Sequence, residues 1–201
     1  MEIDNIQKIR SFMKFEDPDE FYFISLIQRK KDGNNTISSH DGARRIRSFC
    51  IFSLEEFDKV VPFMKMICIA LNARAYIDLR RKNNKTIQLD LITILVDNYK
   101  CNSKKTRGLF ESAVDKSKSR DKLWMIDLDS QEDGDYNATM QYLTSDCNAD
   151  VVYTLETVNG YHLITSKFDR RKFIENDIRS LKTSALTLMY YNDSNKNILE
   201  V

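Results

Sequence analysis

Apolar and polar positions along this chain fall into short runs of alternating or helical spacing. Ile6 to Phe15 repeats with helical spacing, whereas Phe21 to Gln28 is aromatic and β-branched and reads as a strand. Asp32-Gly33-Asn34-Asn35 marks a turn, and Arg45 to Phe52 reads as a second strand. Ser53, followed three residues later by Glu56, is a capping-box pattern that launches a helix to about Leu71. Ala75 to Leu79 predicts a short strand running into Arg80-Arg81-Lys82, and Thr86 to Tyr99 another helix. Cys101 to Lys122 is polar and charge-rich, a loop with room for a helix near Leu109 to Val114. The pattern then changes, predicting strand Leu123 to Leu128, helix Asn137 to Leu143, and strands Val151 to Glu156 and Tyr161 to Thr165. Helix Arg170 to Asp177 and strand Leu186 to Tyr191 follow. From residue 122 onward this is a β-α-β-β-α-β order, closed by Leu186 to Tyr191 or by Asn197 to Val201, which is the split βαβ or RRM-like arrangement.

Composition narrows the setting. With 201 residues and 42% hydrophobic content, the chain can build one substantial core or two small lobes that share one. Its two prolines and five glycines favour long regular elements with brief joints. A net charge of +1 provides no global field for a polyanion, so the local basic clusters carry whatever electrostatic signal exists. Cys50, Cys68, Cys101 and Cys147 have no short paired spacing, which argues against a zinc knuckle or a disulfide framework and fits a reducing cytoplasm. Met1-Glu2-Ile3-Asp4 opens an acidic amphipathic segment rather than a leader, and the apolar stretch Val60 to Leu71 is too short to span a membrane.

The strand Leu123 to Leu128 changes the picture most. In an extended chain Asp127 and Asp129 share one face while Ile126 and Leu128 point to the other. Two carboxylates on one face of a strand end suit Mg²⁺ or Mn²⁺, which leaves its other positions to water and phosphate. The alternative is a strand ending in an acidic turn, since Ser130 to Asp135 continues the acidity, although an acid between Ile126 and Leu128 needs a partner. Gly160-Tyr161-His162 then opens an apolar segment, with the glycine leaving room for a ligand or for backbone. His162 with Lys167, Arg170 and Arg171 could hold a triphosphate, aided by a helix N-terminus near Asp169.

An apolar strand ending in Asp-x-Asp, a small residue, x and His on a following strand, and an acid after a third strand together resemble the archaeo-eukaryotic primase superfamily. The likeness is to its compact phage- and plasmid-type primase-polymerases, and it covers about residues 120 to 195. Gly160 stands where that family commonly has serine. The resemblance implies one catalytic domain over residues 1–201 of class α+β, an α/β lobe of about 1–120 packed on an RRM-like lobe of about 121–201. It implies Asp127, Asp129 and His162 as catalytic residues and Asp193 as the third metal acid, with Asp177 as the alternative. It further implies nucleoside triphosphates bound by Gly160, His162, Lys167, Arg170 and Arg171. Arg80, Arg81 and Lys82, near Tyr76, would track a single-stranded nucleic acid. The expected activity is template-directed nucleotidyl transfer in the cytoplasm, without membrane attachment, and a replication role would need a separate helicase. A non-catalytic nucleotide-binding relative and a metal-dependent nuclease are the competing readings.

Overall fold

The computed structural model describes residues 1–33, 37, 42–97 and 106–193. The turn at Asn34-Asn35, the helix end at Tyr99, Cys101 and the closing segment Asn197 to Val201 lie outside these residues. The described chain is α+β, with two antiparallel sheets.

The first sheet contains β1 (Glu2–Asp4), β2 (Glu20–Arg29), β3 (Ala43–Ile51), β4 (Arg74–Asn83) and β9 (Leu186–Asn192), in the order β1-β9-β4-β2-β3. β2 is apolar almost throughout because both of its faces are covered. Tyr22, Ile24 and Leu26 pack against Phe57, Met64 and Cys68 of α2 (Leu54–Ala70). Phe21 and Phe23 face Ile87 of α3 (Asn84–Asp97) and Ala113 and Val114 of α4 (Thr106–Lys116). α1 (Ile6–Phe12) buries Ile6 and Ile9 in the first of these cores and ends before Phe15. The capping signal at α2 is realised, with the Glu56 N–H donating to Ser53 Oγ at 3.1 Å.

The second sheet contains β5 (Leu123–Leu128), β6 (Val151–Glu156), β7 (Tyr161–Ser166) and β8 (Arg179–Lys182), in the order β6-β7-β5-β8. α5 (Asp133–Ser145) covers its outer face, where Ile126 packs with Leu143, Leu163 and Leu181, and Trp124 packs alongside. The inner face presents Met125, Leu155 and Ile164 to the core shared with the first sheet. Asn5 joins the sheets where they meet. Its buried side-chain amide donates to the Glu156 and Leu188 carbonyls at 2.8 and 3.0 Å and accepts the Glu156 N–H at 3.2 Å.

Two expectations for the last third of the chain are corrected. The helix predicted over Arg170 to Asp177 is a single 3-10 turn, Arg170–Lys172, leading to β8. Tyr142 from α5 supplies hydrogen bonds that a helix would otherwise make internally: its hydroxyl donates to the Lys172 carbonyl at 2.6 Å and lies 2.9 Å from the donating Ile174 N–H. The strand beginning at Leu186 does not close the second sheet. It pairs with β4 and β1, so the chain returns to the first sheet after residue 185, and the boundary drawn at residue 121 separates only the strands before that return. A strand with apolar residues on both faces is satisfied best between two partners, and Leu186–Asn192 has two there.

Candidate functional site

Between the inner face of the second sheet and strands β2, β4 and β9 of the first lies a cleft of about 280 Å³. Asp127, Asp129, His162 and the β6–β7 turn Thr157 to Asn159 form one wall; Arg29, Lys31, Arg74, Tyr76, Leu186 and Leu188 form the other. Strand alternation accounts for the first wall. Trp124 and Ile126 turn toward α5, so Met125, Asp127 and Asp129 turn toward the cleft.

Asp127 and His162 are directly opposed across the β5–β7 ladder. The His162 Nε2 lies 3.4 Å from Asp127 Oδ1. His162 therefore supplies the partner that an acid between Ile126 and Leu128 requires. The histidine holds the Asp127 carboxyl below the usual carboxylate range against the opposing effect of burial, with help from Lys182 and Arg29. Asp129 is exposed, and its N–H donates to the Ile178 carbonyl at 2.8 Å, extending the β5–β8 pairing by one rung. On its other side the His162 ring meets the first sheet, Nδ1 lying 2.8 Å from Thr187 Oγ1 of β9.

The opposite wall is cationic and internally braced. Arg74 makes a two-pronged ion pair with Asp32, Nε to Oδ2 at 2.7 Å, and its guanidinium stacks over the Tyr191 ring at 4.6 Å. Arg29 donates to the Tyr76 hydroxyl at 3.2 Å. Arg74 stands alone in the sequence, whereas Arg29 begins the basic run Arg29-Lys30-Lys31 at the end of β2. The alternation Arg74-x-Tyr76 puts these two residues on one face of β4. Thr187 inside an apolar strand reads simply as a β-former, and only the contact between the sheets gives it a polar role.

Gly160 has its space taken by main chain, not by a ligand. A Cβ there would lie 2.0 Å from the Leu128 carbonyl oxygen and 2.6 and 2.7 Å from the Ser130 oxygen and nitrogen. Gly160 thus lets β7 begin against the end of β5, setting Asp127 and His162 in register. The serine common in the resembled family would not fit here without movement of that backbone.

Other candidates are not brought to the cleft. Lys167 follows the far end of β7, about 16 Å from His162 at the usual strand rise. Its ammonium lies 5.9 Å from the Trp124 ring centroid, on the α5 side of the sheet. Arg171 pairs with Asp169 at 2.8 Å, and neither it nor Arg170 lines the cleft. Asp193 is buried past the end of β9, where its N–H donates to the Met1 carbonyl at 2.9 Å, and it does not line the cleft either. Asp177 is exposed in the loop before β8, beside Ile178.

Arg80, Arg81 and Lys82 form an internal network instead of a nucleic-acid track. Lys82 is 1% exposed and bonds Asp78 at 3.2 Å. Arg80 pairs with Asp78 at 2.9 Å, and Arg81 reaches Asp121, Glu16 and Glu20 at 2.8, 2.9 and 3.2 Å. Cations so engaged have their donors already occupied by carboxylates.

Among the described residues no three His, Cys, Asp or Glu side chains converge as a metal-ion group. The cleft offers two carboxylates, which fits an ion such as Mg²⁺ that takes one or two protein carboxylates and completes its shell with phosphate and water. Among the described residues no helix is long and apolar enough to cross a membrane. Compared with known proteins, the chain matches no family model, no curated protein and no solved structure.

Proposed function

We propose that the cleft is a nucleotidyltransferase centre of primase-polymerase type, acting on nucleoside triphosphates along a single-stranded nucleic-acid template. One observation carries the reading: an acid pair with a histidine faces the cations Arg29 and Lys31, with the Asp32-paired Arg74 beside them, across a cleft of about 280 Å³. The strand order β6-β7-β5-β8, with α5 crossing from β5 to β6, supports an RRM-like second lobe, a 3-10 turn standing in place of its second helix.

Asp127 and Asp129 would hold Mg²⁺ or Mn²⁺. A divalent ion there would supply charge neutralisation for the polyphosphate and a lowered pKa for the attacking hydroxyl. Arg29 and Lys31 orient the phosphates from the opposite wall, and the Asp32 pair keeps the Arg74 guanidinium fixed beside them. Polar groups fixed before the substrate arrives need no reorganisation during reaction, which is the main source of catalysis in phosphoryl transfer. A binding module without transfer is the second reading, favoured because only two carboxylates among the described residues line the cleft.

Incubation with single-stranded template, nucleotides and Mn²⁺ separates these readings. Extension products that vanish in Asp127→Ala and Asp129→Asn support nucleotidyl transfer; shortened strands indicate a nuclease. Nucleotide binding without products indicates the binding module. In any binding measurement Arg29→Gln weakens nucleotide affinity about tenfold, as loss of a charged hydrogen bond does. The triple change of Lys167, Arg170 and Arg171 to Gln leaves it within about twofold, because those cations stand away from the cleft.

A further inference from the structure

We infer that Thr187 is a positioning residue that holds the His162 ring as its Nε2–H tautomer, aimed at Asp127 and the cleft. Thr187 is fully buried and His162 nearly so, which leaves the Nδ1 side of the ring enclosed away from bulk water. Nε2 faces Asp127 Oδ1 at 3.4 Å, and an ionised carboxylate only accepts. A bare nitrogen lone pair turned toward that oxygen would be repelled, so the hydrogen belongs on Nε2. In the neutral ring Nδ1 is then an acceptor, and the Thr187 hydroxyl at 2.8 Å is the donor that satisfies it. The opposite tautomer would set two lone pairs against each other at Asp127.

The two halves of this arrangement come from different sheets. His162 and Asp127 belong to β7 and β5, while Thr187 belongs to β9. The ring is therefore fixed only when the sheets are docked, and Asn5 secures them nearby. The chemical consequence rests on the proposed reading of the cleft: a ring locked with hydrogen on Nε2 is a donor toward Asp127 and the cleft and has no lone pair there to act as a base.

The test is the ¹⁵N long-range spectrum of the imidazoles in the full chain at about pH 8.5, above the ordinary histidine pKa. The chain has two histidines, so His40→Gln assigns the His162 signals. In the wild type, Nε2 is expected at the protonated-nitrogen frequency and Nδ1 at the bare one. Thr187→Val removes the hydroxyl at nearly constant volume and lowers the tautomer ratio about fivefold, the effect of one ordinary hydrogen bond, while Thr187→Ser restores it. A wild-type spectrum with the proton on Nδ1, wholly or in part, overturns the inference, as does a Thr187→Val spectrum identical to wild type. Should the valine variant not fold, the wild-type spectrum alone decides. The measurement needs neither nucleotide nor metal, so its failure is distinct from failure of the extension assay.

Discussion

Replacing Gly160 by alanine places a methyl group in space already held by main chain. The added carbon would sit 2.0 Å from the Leu128 carbonyl oxygen, against the 3.3 Å or so at which carbon and oxygen normally touch. Ser130 oxygen and nitrogen, at 2.6 and 2.7 Å, close the remaining directions. No flexible side chain can give way, so the end of β5 must move by about 1 Å relative to β7. Overpacking of this kind costs about 1–3 kcal/mol, and a clash with three backbone atoms belongs at the upper end. For a chain of this size about 3 kcal/mol lowers Tm by roughly 6–12 °C. Gly134→Ala is the control. It lies in the first turn of α5 with nothing within 4 Å of the new carbon, and it should gain about 0.5 kcal/mol. Urea unfolding with matched m-values gives both numbers. A Gly160→Ala variant within about 0.5 kcal/mol of wild type would refute the claim that this glycine sets the β5–β7 register.

Arg81→Leu removes the cation shared by Asp121, Glu20 and Glu16. Stranding the largely buried Asp121, and leaving the buried Glu20 with Arg120 alone, should cost about 3 kcal/mol at neutral pH by urea unfolding. Burial pushes the Asp121 carboxyl up, yet the Arg81 hydrogen bonds prevail and hold it below its ordinary value. Its contribution is therefore fully present above the unfolded value near 3.9 and is lost as pH falls through the folded value. The gap between wild type and variant should narrow below about pH 4, and a gap constant down to pH 3 would contradict the assignment. Asp32→Asn leaves the Arg74 guanidinium buried without its countercharge and should likewise cost about 3 kcal/mol, while Asp32→Leu with Arg74→Met recovers most of it. A double variant no more stable than Asp32→Asn would show that lost packing, not the stranded charge, sets the cost.

Where local pattern and tertiary packing agree, the elements follow from residue order alone. The aromatic run of β2, the Ser53 cap of α2 and the Leu123–Leu128 strand are each visible because burial demands a periodicity that adjacent residues carry. The stretch after Asp169 was misleading because its backbone partners are remote: the Tyr142 hydroxyl takes up bonds that a helix would have made. The same holds for Leu186–Asn192, whose length and composition suit a strand but do not say which sheet receives it.

The shared face of the acid pair was legible, since alternation in an extended chain places Asp127 and Asp129 on one side wherever the strand ends up. What lies opposite them was not. Basic runs such as Arg80-Arg81-Lys82 draw attention in a one-dimensional reading, yet a cation beside a buried carboxylate is consumed by it, and these are. The cleft is lined by Arg29 and Lys31 of the run Arg29-Lys30-Lys31 and by the Asp32-paired Arg74, which meet Asp127 only because one sheet packs against the other. Residue order thus settles which side of a strand a group occupies, because that depends on backbone geometry over two or three residues. It cannot settle which groups from distant strands come to face each other, because that depends on how two separately formed sheets bury their apolar faces together.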